Sequence, residues 1–400
     1  MDLQPPALVT AIANDCRARG GRALLVGGGV RDALLGRQVA DWDLEVYGLS
    51  EDALREVLGR HGRVDLVGKS FGVFKLQRGP LVLDVSIPRR DSKVGAGHRG
   101  IAVQGDPEMD VVEAARRRDL TINAILVDPL THEVIDPYHG AADVEARVLR
   151  AVDRTTFLED PLRALRVVQF AARLDFDTAP DLIDLCREAA LDELPAERIS
   201  GEWQKLLLKG VRPSRGLEVA RASGILARVF PTVVDDPDSD ARLDRLVSVR
   251  NALEPEGRRL ALMLAAWFDH TPAAGITAAM DRLWLHKWNG YALRDKVLAA
   301  VAHRDAPAAT DTDLRRLAVR AEPALVLAIR DEPAALARAT LLGVATDKAA
   351  PLLQGRHLGA LGVKPGPAMG KLLDAVYEAQ LDGLVTTPDE ASLAAKRLLA

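Results

Sequence analysis

The chain has 400 residues, of which 48% are hydrophobic, so it is long enough to bury a large core and predicts two to four domains of roughly 100–200 residues each. Its formal net charge of −4 argues against a uniformly basic nucleic-acid-binding surface, although clustered arginines can still form a local phosphate-binding patch. Cys16 and Cys186 lack the spacing of a disulfide framework or a zinc site, and no leader or run of about 20 apolar residues is evident. We therefore expect a soluble cytoplasmic protein without membrane contact, and the sequence indicates no protein partner.

The first functional signal is a glycine-rich turn after a predicted buried strand. Residues 23–26 are apolar, and the turn that follows contains Gly28, Gly29, Arg31 and Asp32. Glycines allow the backbone to turn tightly and to approach a phosphate closely, and the arginine adds positive charge. The pattern therefore indicates a nucleotide-binding turn, although a turn of this kind often only links a strand to a helix.

Acidic residues alternate with apolar residues in the next predicted strand. Asp41, Asp43 and Glu45 alternate with Trp42 and Leu44, so an extended strand projects the carboxylates to one face. Such carboxylates repel each other unless a cation joins them, and Mg²⁺ usually takes one or two carboxylates together with water and substrate phosphates. We interpret Asp41 and Asp43 as catalytic, magnesium-binding residues, and the alternative is a solvated edge strand.

A hairpin is predicted over residues 72–87, with its turn at Arg78-Gly79-Pro80. In its second strand, Asp84 shares one face with Val82 and Ser86, while the other face is apolar. Asp84 would lie beside the first two carboxylates if the strands pair, so it is a candidate third catalytic carboxylate. The alternative is an edge-strand charge that discourages aggregation.

Residues 88–107 are polar and contain several glycines and arginines. They predict a long loop, which we interpret as a mobile element over a bound nucleotide.

Three consecutive arginines, ending at Arg118, precede Asp119 and Asn123. Asp119 and Asn123 are four residues apart, so they would meet on one face of a helix. Asp119 could accept a hydrogen bond from a ribose hydroxyl, while Arg118 and Asn123 could contact triphosphate oxygens. Alternatively, Asp119 only caps the helix that follows.

An amphipathic helix is predicted to begin at Pro161 and to run to about residue 174. Asp160 is then a natural N-cap, but Asp160 and Arg163 also suit base selection. Cytosine and adenine each present an amino donor beside a ring-nitrogen acceptor, so a carboxylate beside a guanidinium matches C and A and mismatches G and U. Arg163 and Arg166 together also suit phosphate binding.

These motifs, taken in order, resemble the class II tRNA nucleotidyltransferase and bacterial poly(A) polymerase family over residues 20–210. By this resemblance, Asp41 and Asp43 hold Mg²⁺, Asp119 reads the ribose, and Asp160 with Arg163 selects CTP or ATP. Five ordered motifs are far more specific than a lone glycine-rich turn. The motifs are Gly28-Gly29-Val30-Arg31-Asp32, Asp41-Trp42-Asp43, Arg117-Arg118-Asp119, Glu159-Asp160-Pro161-Leu162-Arg163 and Glu197-Arg198-Ile199.

The resemblance implies an α+β fold: a polymerase-beta-like nucleotidyltransferase head with a mixed sheet, followed by an all-helical neck, body and tail. The expected divisions are a head at 1–140, a neck at 141–215, a body at 216–330 and a tRNA-binding tail at 331–400. The implied activity is template-independent addition of CCA to the 3′ end of tRNA from CTP and ATP, with pyrophosphate release. We expect a two-metal transfer, in which one Mg²⁺ activates the 3′ hydroxyl and the second stabilises the triphosphate and the leaving pyrophosphate.

From residue 216 onward, the sequence shows only Ala- and Leu-rich helical patterns, in which Trp267, Trp284 and Trp288 are expected to be core aromatics. Two alternatives to CCA addition stay open. One is the same chemistry with another product, made by a poly(A) polymerase or by a CC-only or A-only enzyme. The other is a catalytically silent, nucleotide-sensing RNA-binding protein.

Overall fold

A computed structural model describes residues 3–67, 73–93 and 101–399. Contacts divide the chain into two compact units. The first contains residues 1–206 and 210–229, and the second contains residues 207–209 and 230–400. The four-part division into head, neck, body and tail is finer than these two units and stays a prediction.

The first unit is built on a seven-stranded mixed sheet. The strands of the chain are β1 (Arg22–Val26), β2 (Trp42–Tyr47), β3 (Arg63–Val67), β4 (Val73–Arg78), β5 (Leu81–Ser86), β6 (Arg89–Lys93), β7 (Ile101–Gly105), β8 (Leu126–Val127), β9 (Val134–Ile135), β10 (Val148–Leu149) and β11 (Asp177–Thr178). The order in the large sheet is β3-β4-β5-β2-β1-β8-β9, and β10 pairs with β11 separately. Within the large sheet, β2 and β5 run parallel and the other neighbours are antiparallel.

The strands that carry the candidate carboxylates lie inside this sheet. The predicted hairpin is confirmed as β4 and β5, with the turn after Arg78. Because β2 lies between β5 and β1, and β5 lies between β4 and β2, neither strand is an edge. Both edge-strand alternatives, for Asp43 and for Asp84, are therefore wrong.

The prediction of a loop over residues 88–107 is also wrong in part. Strands β6 and β7 form a two-stranded antiparallel ladder in which Arg89 faces Gly105 and Lys93 faces Ile101. The sequence did not predict these strands because it is polar and lacks a clear alternation of apolar residues. The two strands form backbone hydrogen bonds with each other and are not part of the large sheet. Residues 94–100, which include His98, lie outside the described residues.

Helices surround the sheet and continue the first unit. They are α1 (Ala7–Ala18), α2 (Gly28–Leu34), α3 (Glu51–Gly59), α4 (Val111–Arg116), α5 (Gly140–Ala146), α6 (Arg154–Glu159), α7 (Leu162–Leu174), α8 (Pro180–Glu188), α9 (Ala196–Lys209), α10 (Pro213–Ala222) and α11 (Ile225–Val229). The predicted helix that opens at Pro161 and ends near residue 174 is confirmed as α7. Its buried apolar face packs against α10.

The core beneath the sheet fixes the position of α4. Leu24, Val26, Tyr47 and Leu126 from the strands pack with Ala114 and its neighbour from α4. Burying this apolar surface stabilises the unit by about 25 cal/mol per Å². The arginines that follow α4 are thereby held beside β2.

Among its described residues, the second unit contains helices and one isolated β-bridge, between Trp288 and Tyr291, but no β-strand. The helices are α12 (Asp238–Arg245), α13 (Val247–Ala252), α14 (Glu256–Trp267), α15 (Ala273–Arg282), α16 (Leu293–Ala302), α17 (Asp311–Arg320), α18 (Pro323–Ile329), α19 (Pro333–Leu341), α20 (Gly355–Ala360), α21 (Pro367–Leu381) and α22 (Pro388–Leu399). None of the helices described in either unit is both long and apolar enough to cross a bilayer.

The tryptophans of this unit differ in their surroundings. Trp267 is buried and packs against Phe230 and Phe268, as expected of a core aromatic. Trp284 is 61% exposed, so its prediction as a core residue is wrong. Trp284 lies after the end of α15 with φ = +54°, where the chain turns and its neighbours take the buried positions. Trp288 is half-buried and donates to Glu256.

Close packing at Gly140 tests the placement of α5. A Cβ at Gly140 would lie 2.1 Å from the backbone oxygen of Thr121 and 2.8 Å from Cγ1 of Ile125. Because a backbone oxygen has little room to move, we expect Gly140→Ala to lower the free energy of unfolding by about 1–3 kcal/mol, measured by urea denaturation. The matched control is Gly201→Ala inside α9, where a Cβ meets nothing within 4 Å and helix propensity should add about 0.5–1 kcal/mol. Equal unfolding midpoints for the two variants would contradict this packing.

Candidate active site

Gly27 forms the turn between β1 and α2, which lies against the strand that carries the carboxylates. The predicted turn is shorter than expected, because Gly28, Gly29, Arg31 and Asp32 already belong to α2. Gly27 has φ = +74°, in the left-handed region that glycine adopts without strain. A Cβ at Gly27 would lie 3.5 Å from Oδ2 of Asp43, and a Cβ at Gly29 would lie 2.8 Å from the backbone oxygen of Asp41. Glycine therefore allows the turn and both candidate metal-binding residues to approach closely.

Arg31 points into the protein from α2. It is 3% exposed, and its guanidinium donates to Oδ1 of Asp32 over 2.7 and 2.9 Å and to Oδ1 of Asn123 over 2.7 Å. Three of its nitrogens are thus engaged within the protein. The buried charge is balanced by Asp32 and oriented by Asn123. Nucleotide contacts from Arg31 and from the adjacent Gly28 stay predictions.

Asp43 and Asp84 are register partners on the paired strands β2 and β5. Asp41 is exposed and directly precedes β2. Burial, followed by the negative charge of Asp84, raises the pKa of Asp43 to about 6. Arg118 opposes this rise in pKa, and Asp41 adds to it. Carboxylates held this close favour a bound cation, which relieves their repulsion.

A lysine from the other neighbouring strand contacts Asp84. Nζ of Lys75 on β4 lies 3.1 Å from Oδ1 and 3.4 Å from Oδ2 of Asp84. Sequence reasoning missed Lys75, although the hairpin contained the signal. A turn after Arg78 aligns Lys75 with Asp84 in the antiparallel register.

The donor set suits magnesium. Within the described residues, no three or more His, Cys, Asp or Glu side chains are gathered closely enough to hold a metal ion by themselves. The site offers the paired oxygen donors of Asp43 and Asp84, and Asp41 lies two residues before Asp43 in the chain. These donors fit Mg²⁺, which completes its shell with water and phosphate oxygens, better than a metal that needs a closed protein cage.

Glu45 shares a face of β2 with Asp43 but is bound elsewhere. It is buried, and its Oε2 accepts a 2.7 Å hydrogen bond from the hydroxyl of Tyr47. Arg118 lies 3.5 Å from the same oxygen. A cleft of about 270 Å³ opens here, and its three arginines suit phosphate groups. The cleft is lined by Glu45, Val73, Ser86, Ile87, Arg89, Ala114, Arg117 and Arg118.

Arg118 is held loosely at this cleft. Its two hydrogen bonds, to Glu45 and to the backbone oxygen of Asn123, are both 3.5 Å long, and its Nε is buried with no hydrogen-bond partner in the described structure. Bonds of this length are weak. The guanidinium therefore retains the capacity to bind a stronger acceptor, which supports the predicted triphosphate contact.

Asp119 is the centre of a buried polar network. Its Oδ1 accepts from the backbone N–H of Leu120 at 2.8 Å and from Nδ2 of Asn123 at 3.1 Å. Its Oδ2 accepts from Nε of Arg166 on α7 at 2.6 Å. The predicted meeting of Asp119 and Asn123 is confirmed, but the predicted helix is one 3-10 turn (Thr121–Asn123), because the chain then enters β8.

Charge balance decides the state of the Asp119 carboxyl. Burial acts to raise the pKa of Asp119, but the charge of Arg166 and the hydrogen bonds from Asn123 and Arg166 outweigh it. The pKa therefore lies below its ordinary value. Asp119 is an anion whose oxygens are already hydrogen-bonded within the protein, so a ribose contact stays a prediction.

Three arginines surround the ring of Phe170 on α7. Cζ of Arg31 and of Arg166 each lie 5.2 Å from the ring centroid, and Cζ of Arg173 lies 5.6 Å away. This cation–π cluster connects α2 with α7. Sequence reasoning missed Phe170 and Arg173, although Phe170 lies four residues after Arg166 and Arg173 lies three residues after Phe170, spacings that place them on one helix face.

Asp160 and Arg163 are each held by other groups of the first unit. Oδ1 of Asp160 accepts from the backbone N–H of Leu162 at 3.1 Å, which supports the capping interpretation. Its carboxylate also accepts from both terminal nitrogens of Arg198 on α9, at 3.2 and 3.4 Å. Sequence reasoning gave Arg198 no role, although it lies in one of the motifs.

Arg163 points back toward α6 and the end of α4. Its terminal nitrogens donate to the backbone oxygens of Thr156 and Arg117, at 2.7 and 2.5 Å. No hydrogen bond joins the side chains of Arg163 and Asp160 in the described structure. The structure therefore places Asp160 just before α7 and Arg163 in its first turn, but it orients the two side chains separately.

Two family models match the chain. They are the Poly A polymerase head domain, over residues 23–150, and the probable RNA and SrmB-binding site of polymerase A, over residues 175–236. The chain is 38% identical over 265 residues to the CCA-adding enzyme of Bordetella bronchiseptica, covering 65% of this chain and 68% of that protein. It is 44% identical over 219 residues to the multifunctional CCA protein of Verminephrobacter eiseniae, covering 52% of this chain and 50% of that protein.

The fold is similar to that of a solved CCA-adding enzyme. The structure of the Bacillus stearothermophilus enzyme in complex with CTP aligns with a TM-score of 0.76 at 24% identity, covering 99% of this chain and 98% of that chain. The predicted class is therefore confirmed: a polymerase-beta-like head with a mixed sheet, and a helical remainder. The chain belongs to the family of the CCA-adding enzymes. It spans about half the length of the multifunctional CCA proteins that it matches.

The pH dependence of stability should report on Asp119. Since the folded-state pKa of Asp119 lies below its unfolded value, its carboxylate contributes stability above about pH 4 that is lost as the pH falls below that value. Asp119→Asn removes this titration. We expect the variant to lose less free energy of unfolding than the wild type between about pH 5 and about pH 3, measured by urea denaturation at each pH.

The control is Asp184→Asn on α8, which alters an exposed ion pair with Arg187. Exposed pairs contribute little to stability, so its curve should follow the wild type. Parallel curves for the wild type and Asp119→Asn would contradict the assignment.

Proposed function

We propose that this protein adds CCA to the 3′ end of tRNA from CTP and ATP, without a nucleic-acid template and with release of pyrophosphate. The observation that carries the proposal is the packing of the glycine turn against the paired carboxylates. Gly27 lies against Asp43, whose register partner is Asp84. A turn open to phosphate beside oxygen ligands for a divalent cation suits nucleotidyl transfer. The names of the relatives support CCA addition as the particular reaction.

We infer that magnesium is held by Asp41 and Asp43, with Asp84 as the third carboxylate. When bound, the metal supplies activation of the attacking hydroxyl and neutralisation of phosphate charge. Asp43 and Asp84 contribute by fixing two oxygen donors on neighbouring strands. Their geometry is set by the sheet ladder and not by flexible loops, which supports a preorganised site.

Phosphate and ribose contacts follow from the charged groups around the turn. Arg118 lies in the cleft with spare hydrogen-bonding capacity, so we assign it to the triphosphate. Arg31 and Arg166 add positive charge on the α7 side of the turn. Asn123 joins Arg31 to Asp119, and in our proposal Asp119 reads the ribose.

We assign base selection to Asp160 and Arg163 acting as a side-chain template. A carboxylate that accepts from the exocyclic amino group and a guanidinium that donates to the ring nitrogen fit C and A and reject G and U. Arg198 holds the Asp160 carboxylate, and backbone oxygens hold Arg163. Such restraint supports a template role, because selectivity requires fixed donors and acceptors.

Two free, buried cysteines agree with the predicted cytoplasmic location.

The discriminating experiment is extension of a tRNA that lacks its terminal CCA, with Mg²⁺ and with CTP, ATP or both, resolved at single-nucleotide length. CC with CTP and one further A with both nucleotides would support the proposal. A long ladder with ATP alone would indicate a poly(A) polymerase, and a stop after CC would indicate a CC-only enzyme. No extension would favour the nucleotide-sensing alternative.

Removal of the candidate metal-binding carboxylates should separate catalysis from binding. We expect Asp41→Ala and Asp43→Ala to lower the rate of extension by at least about 100-fold, because metal activation is lost. The affinity for tRNA, measured by filter binding, should change less than about threefold. Asp52→Ala in the first turn of α3 is the matched surface control. Near-normal extension by either site variant would exclude that residue from the site.

The Asp160 carboxylate can be tested by an isosteric change. Asn still caps α7, so Asp160→Asn preserves the bond to Leu162 while replacing one acceptor oxygen with a donor. We expect the ratio of kcat/KM for CTP over UTP to fall by at least about 100-fold, since a hydrogen-bonded site rejects mismatched groups strongly.

A second capping aspartate supplies the control. Asp153 caps α6 through Thr156, and Asp153→Asn should leave the preference for CTP unchanged. An unchanged preference in Asp160→Asn as well would remove Asp160 from the template.

A further inference from the structure

A row of charged residues crosses the sheet at the level of the candidate metal site. The register of β3 with β4, of β4 with β5 and of β5 with β2 aligns Asp65, Lys75, Asp84 and Asp43. Register partners on neighbouring strands project from the same face of a sheet. The row therefore reads acid, base, acid, acid, with its one basic residue next to the candidate metal-binding pair.

Within this row, Lys75 forms an ion pair with Asp84, its neighbour on the side of the candidate metal site. Its Nζ contacts both carboxylate oxygens of Asp84, at 3.1 and 3.4 Å. On its other side, Asp65 is paired with Arg63, whose Nε lies 3.2 Å from Oδ2 of Asp65. Asp65 thus has a cation of its own, and the charge of Lys75 acts on Asp84.

A divalent cation beside Asp43 would meet this ammonium group. The oxygens of Asp84 that face Lys75 are the donors that Asp84 would offer to a metal. An ammonium and a metal ion at one carboxylate repel each other, and the attraction of each to the carboxylate is weakened by the other. Water damps the repulsion only in part, because the side chains of Lys75 and Asp84 are 46% and 41% exposed but Oδ1 of Asp84 is itself buried.

We propose that Lys75 is a built-in counter-ion of the metal site, which occupies Asp84 in the metal-free protein and lowers the affinity of the site for a divalent cation. The inference rests on the proposed function, since it takes Asp43 and Asp84 as the metal-binding pair. Lys75 is here a positioning residue, because it acts through Asp84. It relieves the repulsion between the two carboxylates before a metal arrives.

The test is the affinity for Mn²⁺, measured by isothermal titration calorimetry on the full chain without nucleotide or tRNA. Lys75→Gln removes the competing charge, and we expect it to bind Mn²⁺ about three- to tenfold more tightly than the wild type. Lys75→Arg keeps the charge and should bind within about twofold of the wild type. Unchanged or weaker binding by Lys75→Gln would overturn the proposal. Circular dichroism establishes that each variant is folded.

Two controls show whether the effect passes through Asp84. Arg22→Gln removes a cation from an ion pair with Asp128, at the other end of β1 from the residue that faces Asp43, and should leave Mn²⁺ affinity unchanged. In an Asp84→Asn background, Lys75→Gln should give no further gain. An equal gain in both backgrounds would show a non-specific charge effect and overturn the proposal.

Failure of the metal site itself has a different signature. Asp43→Asn should abolish the Mn²⁺ binding isotherm that the wild type gives. If the wild type and Asp43→Asn bind Mn²⁺ equally, the metal assignment in the proposed function is wrong, and the role of Lys75 is excluded with it. If Asp43→Asn abolishes binding and Lys75→Gln leaves the affinity unchanged, only the role of Lys75 is overturned.

Discussion

Two like charges held side by side on parallel strands are the constraint around which the first unit is organised. Asp43 and Asp84 are register partners in the interior of the sheet, so neither can move away without breaking a ladder that neighbouring strands hold on both sides. Their repulsion raises the pKa of Asp43 beyond what burial alone would do. The surrounding groups offset this repulsion, because Arg118 from the segment after α4 and Lys75 from β4 supply positive charge. The absence of a side chain at Gly27 and Gly29 allows the backbone to approach the strand closely.

A second constraint is the buried network on the α7 side of the turn. Arg31, Asn123, Asp119 and Arg166 form one chain of hydrogen bonds that joins α2, the 3-10 turn and α7. Removing Arg166 would leave the buried Asp119 carboxylate without its counter-ion, which costs about 3–5 kcal/mol. The network couples the charge of Asp119 to α7 and, through Asn123, to Arg31 on α2. It fixes the orientation of α7, and so of Arg163, relative to the carboxylate strands within this unit.

The elements that the sequence predicted correctly are those that a local sequence pattern marks. Alternation along 81–87 identified the apolar and mixed faces of β5, and the turn at Gly79 and Pro80 identified the hairpin. Pro161 marked the start of α7. The pairing of β2 with β5 could not be predicted, and the sequence placed Asp84 beside Asp43 only if these strands pair. Parallel pairing joins segments that are about forty residues apart here, and no local sequence pattern indicates it.

The errors have physical causes of the same kind. β6 and β7 were missed because their ladder is satisfied without an alternating apolar face. Trp284 was assigned to a core because composition does not reveal that the chain turns at that residue. Arg198 was assigned no role because its partner, Asp160, lies on another element, and the motif that contains Arg198 does not identify that partner. Lys75 could have been paired with Asp84 from the register of the predicted hairpin, but its alignment with Asp43 also depends on the pairing of β5 with β2. Pairings of charge across elements follow from tertiary structure, and the residue types alone leave the partner undetermined.

A side-chain template for bases needs donors and acceptors that do not adapt to the wrong partner. Flexible Asp and Arg side chains could rotate to satisfy G or U, and discrimination would then be lost. In this protein each candidate reader is anchored at a second point: the Asp160 carboxylate by Arg198 and by the start of α7, and the Arg163 guanidinium by two backbone oxygens. Anchors made of backbone oxygens cannot change with nucleotide identity. Selectivity of this kind is therefore a property of how α6, α7 and α9 pack together, and substitutions at the anchors should affect it as directly as substitutions at the readers themselves.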